Sequence, residues 1–191
     1  ADRIQFGALR VLNDDIIEGG TGFGEHPHHD MEIISIPLFG ALEHRDSLGN
    51  TFVMHTNEVQ IMSAGSGIKH SEYNHSPTEK ANFLQIWILP KQKGIKPRYD
   101  QKPFLPEHRK NKWQLIVSAN DADRNTLWIN QDAYFSLANL DKGNHLPYTL
   151  KDPSHGIYIF VIKGCIKLIE GDTLLHSKDG AGLTDLTEIT L

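Results

Sequence analysis

The feature that most constrains the fold is a series of short apolar or alternating runs with no sustained helical periodicity. Examples are MEIISIPLFG, EVQIMSAG, NFLQIWIL and IYIFVIKGCIKLIEG. Turn-forming segments such as EGGTG, SLGN, DKGN and DPSHG separate the runs. Short strands at regular spacing, punctuated by Gly, Asn and Asp, are typical of β-sandwiches and β-barrels. The sequence therefore predicts an all-β protein.

A polar stretch divides this strand-rich sequence into two parts of similar size. The segment PKQKGIKPRYDQKPFLPEHRKNK contains many charged residues and four of the nine prolines. With 191 residues, the chain can form one large or two small cores. We predict two β-barrels in tandem, with an N-terminal domain at 1–98, a linker at 99–111 and a C-terminal domain at 112–191.

Charge and cysteine content narrow the functional classes. The net charge is −5 and the basic residues are scattered, which argues against direct binding to nucleic acid or to a membrane surface. A single cysteine, Cys165, excludes an internal disulfide and favours a cytoplasmic location. The sequence starts without Met or a leader pattern and stops in strand-like LTEITL, so we expect it to be trimmed at both ends.

The segment GEHPHHDME concentrates histidines at the start of a predicted strand. Residues two apart in a strand share a face, so His26 and His28 should project together, as two imidazoles that bind one metal ion would. Pro27 restricts the segment to a strand end or edge. His29 should face solvent or lie outside the ligand shell, whereas Glu32 shares the parity of His28 if the strand is regular. The alternative is a polar loop that merely precedes a strand.

A second pair follows in the segment IMSAGSGIKHSEYNH. His70 and Glu72 are again two apart, and Gly65 and Gly67 precede them and permit a sharp turn. Two such pairs could converge from two sides of a barrel. Three imidazoles and a carboxylate suit Fe, Mn, Co, Ni, Cu or Zn, and the ligand types do not choose among these metals.

Several segments resemble the bacterial pirin-like proteins of the cupin superfamily. GFGEHPHHDMEIISIPLFG is similar to the first cupin motif, with one extra residue before Gly40, and NEVQIMSAGSGIKHSE is similar to the second motif in its pirin form. LEHRDSLGN and LQIWILP also resemble pirin segments. The resemblance runs from about Phe6 to Tyr99 and continues more loosely to the end. Asn57 and Glu58 depart from the family pattern, in which Gly and Asp are common.

This resemblance implies a bicupin, in which two jelly-roll barrels of the double-stranded β-helix type are joined by a linker and only the N-terminal barrel binds metal. Carried over residue by residue, the pirin ligands are His26, His28, His70 and Glu72. Iron(II) is the first expectation for the metal, with Mn, Co, Ni, Cu and Zn as alternatives. General cupins take the carboxylate from the first motif, here Glu32, so Glu32 is the alternative to Glu72.

The C-terminal half shows no comparable pairs. Its histidines have no partner two residues away, and we interpret them as ordinary surface or core-edge residues: His108, His145, His155 and His176. Cys165 lies in an alternating apolar run and is predicted to be buried. Five large apolar residues are predicted to be core, with the lining of a pocket as the alternative for some of them: Phe23, Phe39, Met62, Phe83 and Trp87.

For function, the resemblance implies an oxidoreductase of the quercetin 2,3-dioxygenase type, in which O2 opens a flavonol ring and carbon monoxide leaves. Glu72 would ligate the metal and also act as the catalytic base that accepts the flavonol 3-hydroxyl proton. The expected partners are a flavonol-like aromatic substrate and O2. The alternatives are a metal- or redox-responsive regulator that binds a protein partner, and a metal-dependent isomerase on the same fold.

Overall fold

The computed structural model describes residues 4–191, and in this range the secondary structure consists of strands and one short 3-10 helix, Pro106–Arg109. The strands of the first half are β1 (Leu9–Ile17), β2 (Gly22–His28), β3 (Glu32–Phe39), β4 (Ala41–Asp46), β5 (Thr51–His55), β6 (Glu58–Ser63), β7 (Ile68–Asn74), β8 (Ala81–Ile88) and β9 (Arg98–Pro103). Those of the second half are β10 (Gln114–Ser118), β11 (Leu127–Trp128), β12 (Phe135–Leu137), β13 (Pro147–Thr149), β14 (Ile157–Phe160), β15 (Cys165–Leu168), β16 (Thr173–His176), β17 (Gly180–Leu183) and β18 (Glu188–Thr190). The all-β prediction is confirmed. Across residues 4–191, no helix has the length and apolar character needed to span a bilayer.

Contacts divide the chain into two compact units. The N-terminal unit contains the described residues up to Pro106 together with Gln114–Leu137, and the C-terminal unit contains Glu107–Trp113 and Ala138–Leu191. This division differs from the predicted limits, because β10, β11 and β12 belong to the N-terminal unit. The predicted linker also contains most of β9, an edge strand that pairs with β6. The sequence of β9 is polar because most of its side chains are only half-buried, so it does not show the apolar pattern of a strand.

The larger sheet of the N-terminal unit has the strand order β1-β8-β3-β6-β9. Strands β3 and β6 are buried along most of their length, which explains their nearly continuous apolar sequence. Ile33, Met62 and Phe83 are fully buried. Each such side chain contributes about 1.5–3 kcal/mol of hydrophobic stabilisation, so apolar packing stabilises this sheet.

The second sheet, β2-β7-β4-β5, carries the histidines. Burial alternates along β7, where Ile68, His70 and Glu72 are buried and Lys69 and Tyr73 are exposed. This period of two confirms that His70 and Glu72 point to the same, inner face.

Backbone conformation at two turns fits the residues found there. Gly65 has φ 46°, and a Cβ at this position would collide with the carbonyl oxygen of Ile95, so glycine is required before β7. Asn57, which replaces the usual family glycine, has φ 72°. Asn is among the few side chains that adopt this conformation readily, so the departure preserves the β5–β6 turn.

The C-terminal unit is built from the two-stranded ladders β13-β18, β14-β17 and β15-β16. Its buried cluster is entirely aliphatic and consists of Leu146, Val161, Leu168, Leu175, Ile189 and Leu191. Cys165 is exposed, so the prediction that it is buried was wrong. Along β15 it shares the outward face of Lys167, while Leu168 points inward.

The predicted core residues divide into two groups. Met62 and Phe83 are fully buried and Trp87 is half-buried. The prediction was wrong for Phe23 and Phe39, which are 40% and 47% exposed. Both lie at or near strand ends, where fewer neighbouring strands cover a side chain.

Candidate metal centre

Three predicted ligands converge on the inner face of the second sheet. The ring centroids of His26, His28 and His70 lie 4.5–4.9 Å apart. One ring nitrogen from each lies within 4.8 Å of the others, so the group can hold a metal ion. His26 Nε2 and His70 Nε2 lie 3.1 Å apart.

Strand register produces this convergence. His26 is directly paired with His70 across the β2–β7 ladder, and His28 is two residues further along β2. The register shifts between Phe23 and His26, which is typical of a β-bulge and realigns the histidines with β7.

The local environment keeps two of the rings neutral. Burial, and then repulsion by His26, lowers the pKa of His28 to about 4. Burial also lowers the pKa of His70 to about 3, with repulsion from His28, His44 and His26 adding to the effect. A neutral imidazole is the form that binds metal, so both rings are ready to ligate at neutral pH.

The tautomer of His26 follows from its hydrogen bond. His26 Nδ1 lies 2.7 Å from the carbonyl oxygen of Gly24, which can only accept. Nδ1 therefore donates its proton, and in the neutral ring Nε2 presents a lone pair to the cluster. This arrangement of nitrogen donors fits a divalent metal ion.

Glu72 is buried beside this cluster. Its Oε1 accepts hydrogen bonds from Ser35 Oγ (3.2 Å) and Gln60 Nε2 (2.9 Å), and its Oε2 accepts one from Gln85 Nε2 (2.6 Å). Burial raises the pKa of Glu72 above its usual value, although these donors favour the charged form. The carboxylate forms a second metal-capable group with His44 and His70 rather than with all three clustered rings.

One oxygen of Glu32, the alternative carboxylate, has partners outside the histidine cluster. Its Oε2 accepts hydrogen bonds from Ser63 Oγ (2.7 Å) and the Asn130 amide (3.2 Å), and lies 3.8 Å from Arg98 Nη2. It belongs to neither metal-capable group found among residues 4–191. The assignment of Glu72 as the carboxylate ligand stays a proposal, and this placement favours it.

The parity argument that joined Glu32 to His28 assumed a regular strand. The chain instead leaves β2 after His28 and turns through Asp30, which has φ 47°. Glu32 then begins β3 in the other sheet. His29, in the turn, is exposed as predicted, and its Nδ1 lies 2.9 Å from Asp30 Oδ2.

Sequence reasoning missed one buried histidine next to the cluster. His44 is fully buried, and its ring centroid lies 5.3 Å from that of His70. Its Nε2 lies 3.2 Å from Asp46 Oδ2. The signal was present in LEHRDS, since His44 and Asp46 are two apart and share a face as the other pairs do.

The surroundings of His28 are partly aromatic and partly open. Trp87 packs against the His28 ring edge-to-face at 5.0 Å, and its Nε1 donates to Gln85 Oε1 at 3.3 Å. An open pocket of about 500 Å³ lies against His28, Pro27 and Ile68.

Comparisons with known proteins agree with this architecture. The family profile described as Pirin matches residues 1–88, and the profile described as Quercetinase C-terminal cupin domain matches residues 115–191. The chain is 41% identical over 186 residues to a quercetin 2,3-dioxygenase of Escherichia coli, covering 97% of this chain and 78% of that protein. It is 40% identical over 190 residues to a pirin-like protein of Caulobacter vibrioides, covering 100% of this chain and 80% of that protein.

A solved structure gives the same picture. The bacterial pirin YhhW of Escherichia coli, in complex with nickel(II), superimposes with a TM-score of 0.91 at 40% identity, covering 99% of this chain and 79% of that one. The fold and the histidine cluster therefore define a bicupin with a metal-capable N-terminal unit. Within that class, the chain belongs to the pirin family.

Proposed function

We propose that this protein is a metal-dependent dioxygenase that opens flavonols such as quercetin with O2. The observation that carries the proposal is the convergence of three imidazoles beside the buried carboxylate of Glu72. The metal ligands would be His26, His28, His70 and Glu72, with iron(II) as the first candidate. Relatives that carry the name quercetin 2,3-dioxygenase support the substrate class.

The protein side chains divide the work between binding and proton transfer. A bound divalent metal would act as a Lewis acid that stabilises a flavonol oxyanion. Trp87 contacts the His28 ring, and an open pocket lined by Pro27, His28 and Lys69 lies beside this one proposed ligand. Ser35, Gln60 and Gln85 hold the Glu72 carboxylate in one orientation.

Glu72 is suited to act as the general base. Its burial raises its pKa, which makes the carboxylate a better proton acceptor than an exposed one. In this proposal it takes the 3-hydroxyl proton as the flavonol binds. Loss of a general base typically reduces the rate by about 10²–10⁴-fold.

The test is turnover of quercetin by protein loaded with iron(II), followed by O2 uptake, bleaching of flavonol absorbance and carbon monoxide release. We expect Glu72→Gln to lower kcat by about 10²–10⁴-fold. Glu25→Gln is the matched control, because Glu25 is an exposed carboxylate next to His26 in sequence, and it should keep the rate. Equal rates for wild type and Glu72→Gln would remove Glu72 from the reaction.

A metal-loaded wild type that leaves flavonols unchanged would overturn the dioxygenase proposal. The regulatory alternative would then be examined by pull-down with the ferrous and ferric forms, in which a partner captured by only one form would support it. The cytoplasmic location favoured by the single cysteine stays a prediction.

A further inference from the structure

The pair His44 and Asp46 has no part in the ligand set proposed above, yet it is buried against it. The side chains of both residues are inaccessible to solvent. On the β4–β7 ladder His44 pairs with Glu72 and Asp46 pairs with His70, so all four side chains occupy one face. A buried carboxylate and imidazole in this position need a reason, because an unpaired polar group there would be costly.

Asp46 acts only as a hydrogen-bond acceptor. Its Oδ1 accepts from the backbone amides of Leu48 (2.9 Å) and Asn50 (3.1 Å), and its Oδ2 accepts from Asn50 Nδ2 at 2.8 Å. With these donors around it, the carboxylate can accept from His44 Nε2 at 3.2 Å but has no proton to give. His44 Nε2 is therefore the protonated nitrogen.

The position of the proton on His44 then affects the tautomer of His70. A neutral His44 with a proton on Nε2 has a lone pair on Nδ1, which lies 3.5 Å from His70 Nδ1. If His70 Nδ1 donates to this lone pair, its Nε2 is left with a lone pair. That nitrogen is the one that lies 3.1 Å from His26 Nε2.

We propose that His44 and Asp46 are positioning residues that fix His70 in the tautomer whose Nε2 can ligate a metal. Since His26 Nε2 also presents a lone pair, the two nitrogens face each other without a shared proton, an arrangement that a cation between them would stabilise. The inference rests on the metal site proposed above but not on the dioxygenase reaction. Carboxylate–imidazole chains of this kind orient metal-ligating histidines in other proteins.

The variant Asp46→Asn tests the donor–acceptor direction of the hydrogen bonds that link Asp46, His44 and His70. The amides of Leu48 and Asn50 require an acceptor at the Oδ1 position, so the new NH2 group points toward His44 and the hydrogen bond from the Asn50 side chain is lost. The NH2 group would donate to His44 Nε2, move the proton of His44 to Nδ1 and leave His70 protonated on Nε2. The matched control is Glu43→Gln. Glu43 is on β4, as Asp46 is, and its Oε2 lies 3.2 Å from His75 Nδ1 at the surface.

The first measurement reads the tautomers in metal-free protein at pH 7.5 from long-range ¹H–¹⁵N imidazole correlations. We expect wild type and Glu43→Gln to carry the His70 proton on Nδ1, and Asp46→Asn to carry it on Nε2. A wild type with the proton on Nε2 would overturn the proposal, as would an unchanged tautomer in Asp46→Asn. Should Asp46→Asn fail to fold, the wild-type spectrum and that of His44→Phe, which cannot accept from His70, decide the question.

The second measurement is nickel(II) affinity by competition with a chromophoric chelator. We expect Asp46→Asn to bind about 10–100-fold more weakly than wild type, and Glu43→Gln to bind equally. Equal nickel affinity of Asp46→Asn and wild type would contradict the positioning role. Neither measurement uses a flavonol, so failure of turnover rejects the dioxygenase proposal alone.

Discussion

In the N-terminal unit the strands join into sheets of five, four and three strands, whereas in the C-terminal unit they form three separate two-stranded ladders. Their interiors differ in a parallel way. Every buried polar or charged residue found in residues 4–191 belongs to the N-terminal unit, and the buried cluster of the C-terminal unit is aliphatic. Buried polar groups need partners, and wide sheets supply them from several strands at once. The comparison shows that one fold class accommodates either an interior rich in paired polar groups or a plain apolar core.

The largest expected effect concerns the histidines themselves. His70→Ala should abolish stoichiometric nickel(II) binding, with affinity falling roughly 100-fold or more, because a ligand matters more than the groups that orient it. His176→Ala, an exposed histidine of the C-terminal unit, should leave binding intact. Equilibrium dialysis with metal analysis checks both variants. Comparable losses of nickel(II) binding would contradict the placement of the metal site in the N-terminal unit alone.

The next effect tests whether the polar N-terminal unit still depends on apolar packing. Phe83→Ala should reduce the free energy of unfolding by about 3–5 kcal/mol, because it leaves a cavity in a fully buried position. Phe39→Ala, at a half-exposed position, should change it by less than about 0.5 kcal/mol. Urea titration followed by tryptophan fluorescence measures the two variants, and a small effect at Phe83 would contradict the packing argument.

A smaller effect is expected at the turn before β7. Gly65→Ala should cost about 1–3 kcal/mol beyond the cost of Gly94→Ala, because both glycines have positive φ but only Gly65 would collide with Ile95. The variant should also weaken nickel(II) binding, since the turn sets the start of the strand that carries His70. Thermal unfolding and the chelator competition assay give the two readouts, and equal stability of the two variants would count against a steric role for Gly65.

The smallest effect is a pH dependence of the metal-free protein. The folded-state pKa values of His28 and His70, about 4 and about 3, lie below the unfolded value of 6.5. Between pH 6.5 and pH 4 the unfolded chain therefore binds more protons than the folded chain, and stability decreases as the pH falls. The raised pKa of Glu72 acts in the opposite sense, so the net decrease in melting temperature should be a few degrees.

The variant His28→Gln isolates this contribution. It should flatten the decline of melting temperature over the same pH range, because one of the buried histidines with a lowered pKa is gone. His176→Gln should follow the wild-type curve. A wild-type melting temperature that does not decline on acidification, or a His28→Gln curve that follows it, would contradict the assignment.

Much of the site could be predicted because strand parity is a local property. The rule that residues two apart share a face placed His26 with His28 and His70 with Glu72, and it would have found His44 and Asp46 had it been applied to LEHRDS. It would also have placed Cys165 outward with Lys167, where hydrophobicity alone suggested burial.

The remainder depended on contacts between distant segments. Nothing local in RYDQKP indicates a strand, because β9 exists only through its pairing with β6. The turn through Asp30 moved Glu32 into another sheet, where its partners Ser63 and Asn130 come from 31 and 98 residues away. Sequence periodicity contains no information on such partners.

The carboxylate of Asp46 also closes the turn between β4 and β5, since it binds the amides of Leu48 and Asn50. The Asp46 side chain thus links formation of the β4–β5 hairpin to the proposed orientation of His70 on β7. A designer who transplants this centre into another scaffold would need to include the SLGN loop with the histidines, because Asp46 hydrogen-bonds both the loop and His44.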